Sequence, residues 1–405
     1  MSGTNEPFLN YPKIFKSGGI WVFMDYKKES LKLHEKLKGK IETKSKYKIL
    51  SKEDLSLVYT PGVAFPSMEI FRDKEKIYDY TMKGNSVAVV SDGSAVLGLG
   101  NIGPEAALPV MEGKAALFKE LADIDAFPIC LKEQNTEKTI ETIKNISVVF
   151  GGINLEDFKA PECFEIEKSL QDLGIPVMHD DQHGTAIVVL AAMINSLKVV
   201  NKGKDIKIVI NGTGAAGIGI AKMFLDYGLK NIVMCDTKGI VYEGRSDLNE
   251  SKEEISKLTN REKKKGSLVD AIRNSDVFVG VSKGNLLKSE NVSNMSKDSI
   301  VFAMANPIPE IMPDDARKGG AKIVATGRSD FPNQINNILA FPGVFRGALD
   351  VKAKMITKEM KVAAAEALAK MVMPSEGKIL PSPLDKEVPR KIAEAVKKAW
   401  NERQN

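Results

Sequence analysis

The chain has 405 residues, of which 43% are hydrophobic and 27% are charged. This composition is typical of a soluble globular protein and excludes a disordered one, and the length predicts two or three domains. The 58 basic and 53 acidic residues leave a net charge of +5, which is too weak to predict binding to nucleic acid.

The few cysteines and histidines limit the kinds of metal site. Cys130, Cys163 and Cys235 form no C-x-x-C pair, so neither a disulfide framework nor a cysteine-rich zinc site is expected. With only three histidines, a metal site would depend mainly on carboxylates, which favour Mg²⁺ or Mn²⁺. The first residues, MSGTNEPFLNYP, contain no apolar signal-peptide core, and the longest apolar run, 186–194, is shorter than a membrane span. We therefore expect a cytoplasmic protein with no membrane partner.

The segment at 27–52, KKESLKLHEKLKGKIETKSKYKILSK, is rich in lysine. Leu33 and Leu37 stand at a helical spacing among these charges, which predicts a solvated surface helix. An arm that binds a polyanion is the alternative, and the modest net charge does not favour it.

From about residue 85, short β-rich runs alternate with stretches of helical spacing, which predicts β–α units around largely parallel sheets. The predicted strands are 87–91, 126–131, 147–155, 175–180, 206–211, 231–236, 276–281, 299–306 and 322–326. The predicted helices are 104–121, 136–146, 161–173, 184–200, 215–227, 333–349, 355–372 and 386–402. In the last helix, apolar residues recur every four positions from Val388 to Trp400, so this helix is expected to dock on a core or on a partner subunit.

The fold class that these elements predict is α/β in two parts. An N-terminal α/β domain is expected at 1–185, because the first set of β–α units ends near residue 183. A Rossmann-type dinucleotide-binding domain with a mostly parallel sheet is expected at 186–405, together with C-terminal helices. The last helix is expected to pack back on the N-terminal domain.

The strongest local signal is IKIVINGTGAAGIGIAKMFLDYG, in which a predicted strand leads through G-x-G-x-x-G into a predicted helix. Gly212 permits the tight turn, Gly214 lets the backbone approach a pyrophosphate, and Gly217 lets the helix pack against the strand. Ala215 and Ala216 lie within this turn, where the helix N-terminus offers free N–H groups to phosphates. The pattern predicts NAD or NADP binding; a glycine-rich turn without a ligand is the alternative.

The choice between the two dinucleotides rests on the end of the next strand. Asp236 stands 19 residues after Gly217 and is placed to bind both ribose hydroxyls, which favours NAD. Lys238 lies two residues further on and could instead bind a 2′-phosphate, or be an ordinary loop lysine. The preference stays open.

Two acidic pairs precede that domain. INLEDF places Glu156 and Asp157 just past a predicted strand, and MHDDQHGTA places Asp180 and Asp181 just before a predicted helix. At the carboxyl ends of parallel strands both pairs can face one crevice, and such oxygens suit Mg²⁺ or Mn²⁺. Solvated surface carboxylates, or a helix cap by Asp180 or Asp181, are the alternatives.

Two further residues are candidates for an acid and a base. Tyr59 precedes a Pro-Gly turn in YTPGVA, and Lys114 lies in the apolar helical run VMEGKAALF. A lysine near a cation and away from water is expected to have a lowered pKa and to serve as a base. A tyrosine that packs on the turn and a lysine that extends its amine to solvent are the alternatives.

Together these motifs resemble the malic enzymes. YTPGVA, SDGSAVLGLGNIGPEAALPVMEGKAALF, INLEDF, HDDQHGTA, NGTGAAGIGIA, ANPIPE and NNILAFPGVFRGAL occur in the order expected of that family. The resemblance is dense from about residue 50 to 350, and the total length is similar to that of the short bacterial and archaeal subunits.

The resemblance implies a role for each matching residue. It makes Tyr59 the general acid, Lys114 the general base and Asp180 a carboxylate that steers the lysine. It makes Glu156, Asp157 and Asp181 the ligands of a divalent metal, and Gly214 to Gly217 the phosphate turn. Asn306 is placed where cofactor and substrate meet, and Asn336 or Asn337 is placed on a substrate carboxylate, with Lys114 also contacting substrate.

One position departs from the family. Longer members carry an arginine that binds a malate carboxylate where this chain has Ala95, in GSAVLGLG. Substrate capture must then depend on the metal, on Lys114, on the asparagines or on another cation, for which Arg328 is a candidate.

The resemblance implies oxidative decarboxylation of (S)-malate to pyruvate and CO₂ with reduction of NAD or NADP, and decarboxylation of oxaloacetate as a further activity. Lys114 would take the proton of the C2 hydroxyl, hydride would pass to the nicotinamide, and Tyr59 would protonate C3 of the enolate. A metal-free 2-hydroxy acid dehydrogenase and a non-catalytic dinucleotide sensor are the alternatives. A homodimer is expected.

Overall fold

Strands and helices alternate along most of the chain. The structure, a computed structural model, describes residues 13–17, 20–24, 26–96 and 98–404. The prediction that residues 1–12 hold no signal peptide lies outside the described residues. The strands are β1 Lys13–Ser17, β2 Ile20–Met24, β3 Ser86–Ser91, β4 Asp125–Cys130, β5 Gly152–Leu155, β6 Val177–His179, β7 Ile208–Asn211, β8 Ile232–Asp236, β9 Gly239–Ile240, β10 Val277–Gly280, β11 Ile300–Ala303 and β12 Ile323–Thr326.

The helices lie between and after these strands. They are α1 Tyr26–Leu37, α2 Lys52–Val58, α3 Ala64–Arg72, α4 Ile77–Tyr80, α5 Gly103–Ala122, α6 Thr136–Ile146, α7 Glu162–Ser169, α8 Asp180–Val199, α9 Ala215–Tyr227, α10 Glu250–Leu258, α11 Leu268–Ile272, α12 Ser289–Ser293, α13 Pro313–Lys318, α14 Phe341–Asp350, α15 Lys358–Ala369 and α16 Glu387–Gln404. Short 3₁₀ helices occupy Lys74–Lys76, Met82–Asn85, Ser147–Val149 and Asn337–Leu339.

Two parallel sheets confirm the predicted α/β class. The first has the strand order β4-β3-β5-β6, with every pairing parallel. The second has the order β12-β11-β10-β7-β8-β9, parallel except for the short antiparallel β9. Read from β9 to β12, this is the strand order of a dinucleotide-binding sheet, and the order reverses between β7 and β10, where such sheets bind their ligand.

Helix α8 lies between the two sheets in the chain and is buried along most of its length. It begins directly at the end of β6 and leads toward β7. Deep in the core, Asn195 Nδ2 donates hydrogen bonds to Ala369 O at 2.8 Å and to Ile379 O at 2.9 Å. Because a buried amide must find partners, these bonds tie the C-terminal segment to α8.

The C-terminal helix docks on the core of its own chain. Val388, Ile392 and Val396 are buried in the main apolar cluster, and Trp400 packs against it. The four-residue spacing thus predicts the buried face correctly.

Several predicted boundaries are wrong. The strand predicted at 147–155 begins as a 3₁₀ helix, and only Gly152–Leu155 is extended. The helix predicted at 184–200 already begins at Asp180, because acidic residues are favoured in a first helical turn. The helix predicted at 333–349 is a 3₁₀ turn followed by α14, and Asn333 has the left-handed φ of +59°.

The lysine-rich segment is also less helical than predicted. Helix α1 ends at Leu37, where Lys38 has a φ of +55°, and the chain is irregular until α2. Leu33 and Leu37 are exposed, so this helix buries no apolar face in the described part of the subunit. Among the described residues, no helix combines the length and hydropathy needed to span a membrane.

The packing of α14 on α16 depends on glycine. A Cβ on Gly347 would lie 2.7 Å from Ala393 O and 2.8 Å from Val396 Cβ. We expect Gly347→Ala to lower the free energy of unfolding by about 1–3 kcal/mol, because overpacking outweighs the helix propensity of alanine. Urea denaturation measures this change. Gly377→Ala is the matched control, since its Cβ would meet nothing within 4 Å, and equal losses in both variants would contradict the packing argument.

Candidate active site

Acidic side chains gather at one edge of the first sheet. Glu156 and Asp157 follow the end of β5, and Asp180 and Asp181 follow the end of β6 as the first turn of α8. Because β5 and β6 are parallel neighbours, both pairs leave the sheet at the same edge. The two acidic pairs therefore lie together at this edge, as the sequence predicts.

Three of these carboxylates form a compact cluster. Glu156, Asp157 and Asp181 each offer an oxygen, and these oxygens all lie within 4.8 Å of one another. Asp157 N donates a hydrogen bond to Asp181 Oδ2 at 2.9 Å, and Asp157 itself has a left-handed φ of +57°. The backbone turn thus brings the two aspartates together from neighbouring strand ends.

Lys114 of α5 extends its amine into the same cluster. Its Nζ lies 2.6 Å from Asp180 Oδ2 and 2.9 Å from Glu156 Oε1, and its side chain is 9% exposed. The centroid of the Phe341 ring lies 4.2 Å from Nζ. Lys114 is therefore a buried cation between two carboxylates, and the alternative of an amine extended to solvent is wrong.

The electrostatics of the lysine differ from the sequence-based expectation. Burial lowers the pKa of Lys114, but the charges of Asp180 and Glu156 outweigh it and hold the pKa above its ordinary value. The pKa of Glu156 is raised to about 8. Burial is the main cause, the charges of Asp180 and Asp181 act in the same direction, and the charge of Lys114 opposes them. The predicted lowering of the lysine pKa assumed a neighbouring cation, and without one the two carboxylates hold the proton on Lys114.

The balance of charge fits a divalent cation. Four carboxylates, Glu156, Asp157, Asp180 and Asp181, are buried or half-buried around one lysine, so negative charge is in excess. Uncompensated buried charges are costly, and the donors are hard oxygens of the kind that Mg²⁺ and Mn²⁺ prefer. The cluster of Glu156, Asp157 and Asp181 therefore suits such an ion.

The two neighbouring asparagines have different environments. Asn337 Nδ2 donates a hydrogen bond to Asp180 Oδ2 at 2.6 Å, so this side chain reaches the lysine cluster. Asn336 Oδ1 instead accepts from Ile338 N at 3.0 Å, where it caps the 3₁₀ turn. Asn306 is exposed in the loop after β11.

Tyr59 stands apart from this cluster. It is the residue at which α2 ends, its side chain is 67% exposed, and its hydroxyl makes no hydrogen bond to any residue that the structure describes. Leu57, Phe65 and Phe71 nearby in the chain are exposed as well. The subunit alone does not bring Tyr59 to Lys114 through a hydrogen bond.

The position that lacks the arginine borders the cluster. Ala95 N donates to Asp157 O at 2.8 Å, so a side chain at this position lies beside an acidic strand end. Arg328, the candidate substitute, is paired with Asp330 at 2.7 Å and donates to Pro307 O at 3.1 Å. Its contacts therefore place it beside the loop of Asn306.

The glycine-rich turn lies where the strand order of the second sheet reverses. Gly212 has a φ of +121°, and a Cβ on Gly217 would lie 1.9 Å from Gly212 O. Both glycines are required by the turn itself. Gly214 differs, because a Cβ there would meet nothing within 4 Å, so its lack of a side chain leaves open space at the N-terminus of α9.

Asp236 is already bound by basic groups. Arg245 pairs with it through both terminal nitrogens, and Lys252 Nζ lies 2.8 Å from its Oδ2. Burial raises the pKa of Asp236, but hydrogen bonds from Arg245 and Lys252 outweigh it and hold the pKa well below its usual range. Lys238 donates its backbone N–H to Asp236 at 2.9 Å and pairs with Asp247 at 3.1 Å.

Sequence reasoning missed two residues of this site. Arg245 lies in a loop nine residues after Asp236, and no sequence spacing predicts that the two residues pair. Glu310, at the end of ANPIPE, is fully buried and accepts hydrogen bonds from Ser282 N and Ala305 N, both at 3.0 Å. Glu310 thus joins the loops after β10 and β11. The ANPIPE motif is the sequence feature that could have identified it.

Comparison with known proteins gives a uniform result. Residues 38–171 match the family described as malic enzyme, N-terminal domain, and residues 182–400 match malic enzyme, NAD binding domain. A bifunctional malic/malolactic enzyme of Bacillus subtilis is 57% identical over 382 residues, covering 93% of either chain. An NADP-dependent malic enzyme of Escherichia coli is 45% identical, over 92% of this chain and 52% of its own length. The crystal structure of an NAD-dependent malic enzyme from Thermotoga maritima is 52% identical, with a TM-score of 0.89 over 91% of this chain and 98% of that one.

The open space at Gly214 allows a direct test of dinucleotide binding. Gly214 has a φ of −88°, which valine tolerates, so Gly214→Val should leave the thermal unfolding temperature unchanged. The isopropyl group would occupy the path of the pyrophosphate, and we expect at least a tenfold weaker NADH affinity in a fluorescence titration. Gly203→Val is the control, because a Cβ there also meets nothing within 4 Å. Unchanged NADH affinity in Gly214→Val would place the dinucleotide elsewhere.

Proposed function

This chain belongs to the malic enzyme family, and on that basis we propose how its residues perform the family's reaction. The reaction is the oxidative decarboxylation of (S)-malate to pyruvate and CO₂ with reduction of NAD or NADP. Its relatives include both NAD-dependent and NADP-dependent enzymes, so either dinucleotide is a cofactor of the family. A metal-free dehydrogenase or a non-catalytic sensor finds no support among these relatives.

One observation supports the assignment of residues most directly. Lys114 Nζ lies between Asp180 and Glu156 at 2.6 and 2.9 Å, next to the cluster of three carboxylates. This arrangement suits removal of a hydroxyl proton, because the amine and an ion held by the carboxylates could both contact the same substrate oxygen. We assign the C2 hydroxyl of malate to this point.

Glu156, Asp157 and Asp181 would hold a Mg²⁺ or Mn²⁺ ion. Such an ion supplies Lewis acidity, which polarises the C2 oxygen and stabilises the negative charge of the enolate. With Glu156 and Asp181 committed to a cation, the negative charge near Lys114 is compensated. Lys114 would then lose part of the interaction that holds its proton, so its pKa would fall from the raised value that the carboxylates alone give it.

Lys114 acts as the general base and Asp180 positions it. Asp180 accepts hydrogen bonds from Lys114 and from Asn337, both at 2.6 Å, so its carboxylate is fixed between two donors. Lys114 takes the proton of the C2 hydroxyl as hydride leaves C2 for the nicotinamide. The turn of Gly212 to Gly217 orients the dinucleotide, with its phosphates at the N-terminus of α9.

Tyr59 is proposed as the general acid that protonates C3 of the enolate, and we place it in the active site of a second subunit. Its phenol is exposed and lies in a run of exposed apolar side chains: Leu50, Leu55, Leu57, Val58, Phe65, Met68 and Phe71. Extended exposed apolar surface of this kind is typical of a protein–protein interface. A homodimer that covers this surface brings Tyr59 to a partner's Lys114. The cytoplasmic location predicted from the sequence is part of the same proposal.

The role of Lys114 is tested with Lys114→Ala. We expect malate oxidation to fall by about a thousandfold, because general base catalysis typically contributes 10²–10⁴-fold. Decarboxylation of oxaloacetate should persist, since this substrate has no C2 hydroxyl proton to remove. Initial rates with Mn²⁺ are measured with NAD⁺ and NADP⁺ in parallel.

Both pyruvate and lactate are quantified as products in these assays, because the Bacillus subtilis relative is named a malic/malolactic enzyme.

The control is Lys119→Ala, which removes an exposed lysine on the same helix. It should retain the activity of the unchanged protein. Near-normal malate oxidation by Lys114→Ala, or an equal loss with oxaloacetate, would remove Lys114 from the base role.

The shared active site is tested by complementation. Tyr59→Phe and Lys114→Ala subunits, each with its own affinity tag, are co-expressed and the heterodimer is purified. If Tyr59 serves the partner, one of the two sites is intact and the heterodimer has about half of the activity of the unchanged dimer, while each mutant homodimer is inactive. An inactive heterodimer would show that both residues act within one subunit.

A further inference from the structure

Next to the cluster of three carboxylates lies a second group of buried polar side chains: Glu167, His179 and Gln182. Glu167 is on α7, His179 ends β6, and Gln182 is in the first turn of α8. His179 is 0% exposed and Gln182 is 5% exposed.

Glu167 is the anchor of this group. Its carboxylate accepts hydrogen bonds from His179 N at 2.9 Å, from Gln182 Nε2 at 3.0 Å and from His183 Nε2 at 3.0 Å. Charge-assisted bonds to a buried carboxylate are strong and directional. Gln182 is therefore held with its amide nitrogen toward Glu167 and its amide orientation is set.

The same amide nitrogen determines which ring nitrogen of His179 carries hydrogen. Gln182 Nε2 lies 3.1 Å from His179 Nδ1. Since the amide nitrogen is a donor, Nδ1 accepts, and the hydrogen of the neutral imidazole belongs on Nε2. That N–H then faces away from Glu167.

The nearest acceptor for that N–H is a candidate metal ligand. His179 Nε2 lies 3.2 Å from Asp181 Oδ2, and it has no well-aligned hydrogen-bond partner among the described residues. The same Oδ2 accepts from Asp157 N. Oδ2 of Asp181 thus accepts one hydrogen bond, from Asp157 N, and is closely approached by the ring of His179, so we expect the other oxygen of Asp181 to face a cation.

We propose that Glu167, Gln182 and His179 form a relay of contacts that orients Asp181 for the divalent cation, with His179 as the positioning residue. The inference rests on the metal site of the proposed function. Partners behind the ligands of a metal site typically change metal affinity 10–100-fold when they are removed. The competing explanation is that the three residues only fasten α7 to β6 and α8.

Two substitutions at His179 separate these explanations. The amide nitrogen of glutamine can reach the place of Nε2, whereas that of asparagine reaches only the place of Nδ1. His179→Gln therefore keeps the donor to Asp181, and His179→Asn loses it, although both variants remove the ring from the same buried position. Gln182→Met removes the donor that fixes the ring and is a third variant.

The measurement is the dissociation constant of Mn²⁺, from the electron paramagnetic resonance signal of free Mn²⁺ in titrations of the full-length protein. We expect His179→Asn to bind Mn²⁺ at least about tenfold more weakly, His179→Gln within about threefold of the unchanged protein, and Gln182→Met several-fold more weakly. NADH affinity should be unchanged in all three. Thr139→Val is the control, because it removes a buried hydroxyl on helix α6 whose contact is to Glu133 O, away from the carboxylate cluster.

Equal Mn²⁺ affinity in His179→Asn and the unchanged protein would overturn the inference, as would equal weakening in His179→Asn and His179→Gln. If His179→Asn does not fold, unchanged Mn²⁺ affinity in Gln182→Met is sufficient to overturn it. Failure of the unchanged protein to bind Mn²⁺ would instead overturn the metal site of the proposed function, and the relay with it.

Discussion

The central electrostatic feature of this structure is a set of four carboxylates around one buried lysine. Lys114 compensates part of the negative charge of Glu156, Asp157, Asp180 and Asp181, and a divalent cation would compensate more of it. Burial makes this arrangement costly without such an ion and strongly attractive to one. The negative charge that holds the proton on Lys114 is also the charge that a bound metal ion would compensate, so in our proposal metal binding and activation of the base are linked.

The fold assembles this charge from distant parts of the chain. Parallel pairing of β5 with β6 places two acidic pairs at one sheet edge, and α5 supplies the lysine from an apolar face. Helix α8 then leads from Asp180 through the core toward the dinucleotide sheet, and its first turn contains both Asp181, a candidate metal ligand, and Gln182 of the proposed relay. The long buried helix therefore makes the positions of the two halves of the site interdependent.

The sequence is sufficient to predict the fold class, most strands and the side chains that gather in the carboxylate cluster, because each rests on a local pattern. The glycine turn, the acidic strand ends and the apolar stripe of α16 are of this kind. The boundaries that failed depend on tertiary contacts, as at Ser147–Val149. The contacts of Arg245 with Asp236 and of His179 with Asp181 join side chains that no sequence spacing relates. The exposure of Tyr59 depends on how the chain folds around it, which a local motif does not determine.

The most direct measurement is the anomalous scattering of Mn²⁺ in crystals of the protein grown with Mn²⁺ and dinucleotide. We expect one strong peak at coordination distance from Glu156, Asp157 and Asp181, with the amine of Lys114 beside it and the nicotinamide facing it. A peak bound by other residues, with these three carboxylates turned toward solvent, would contradict it.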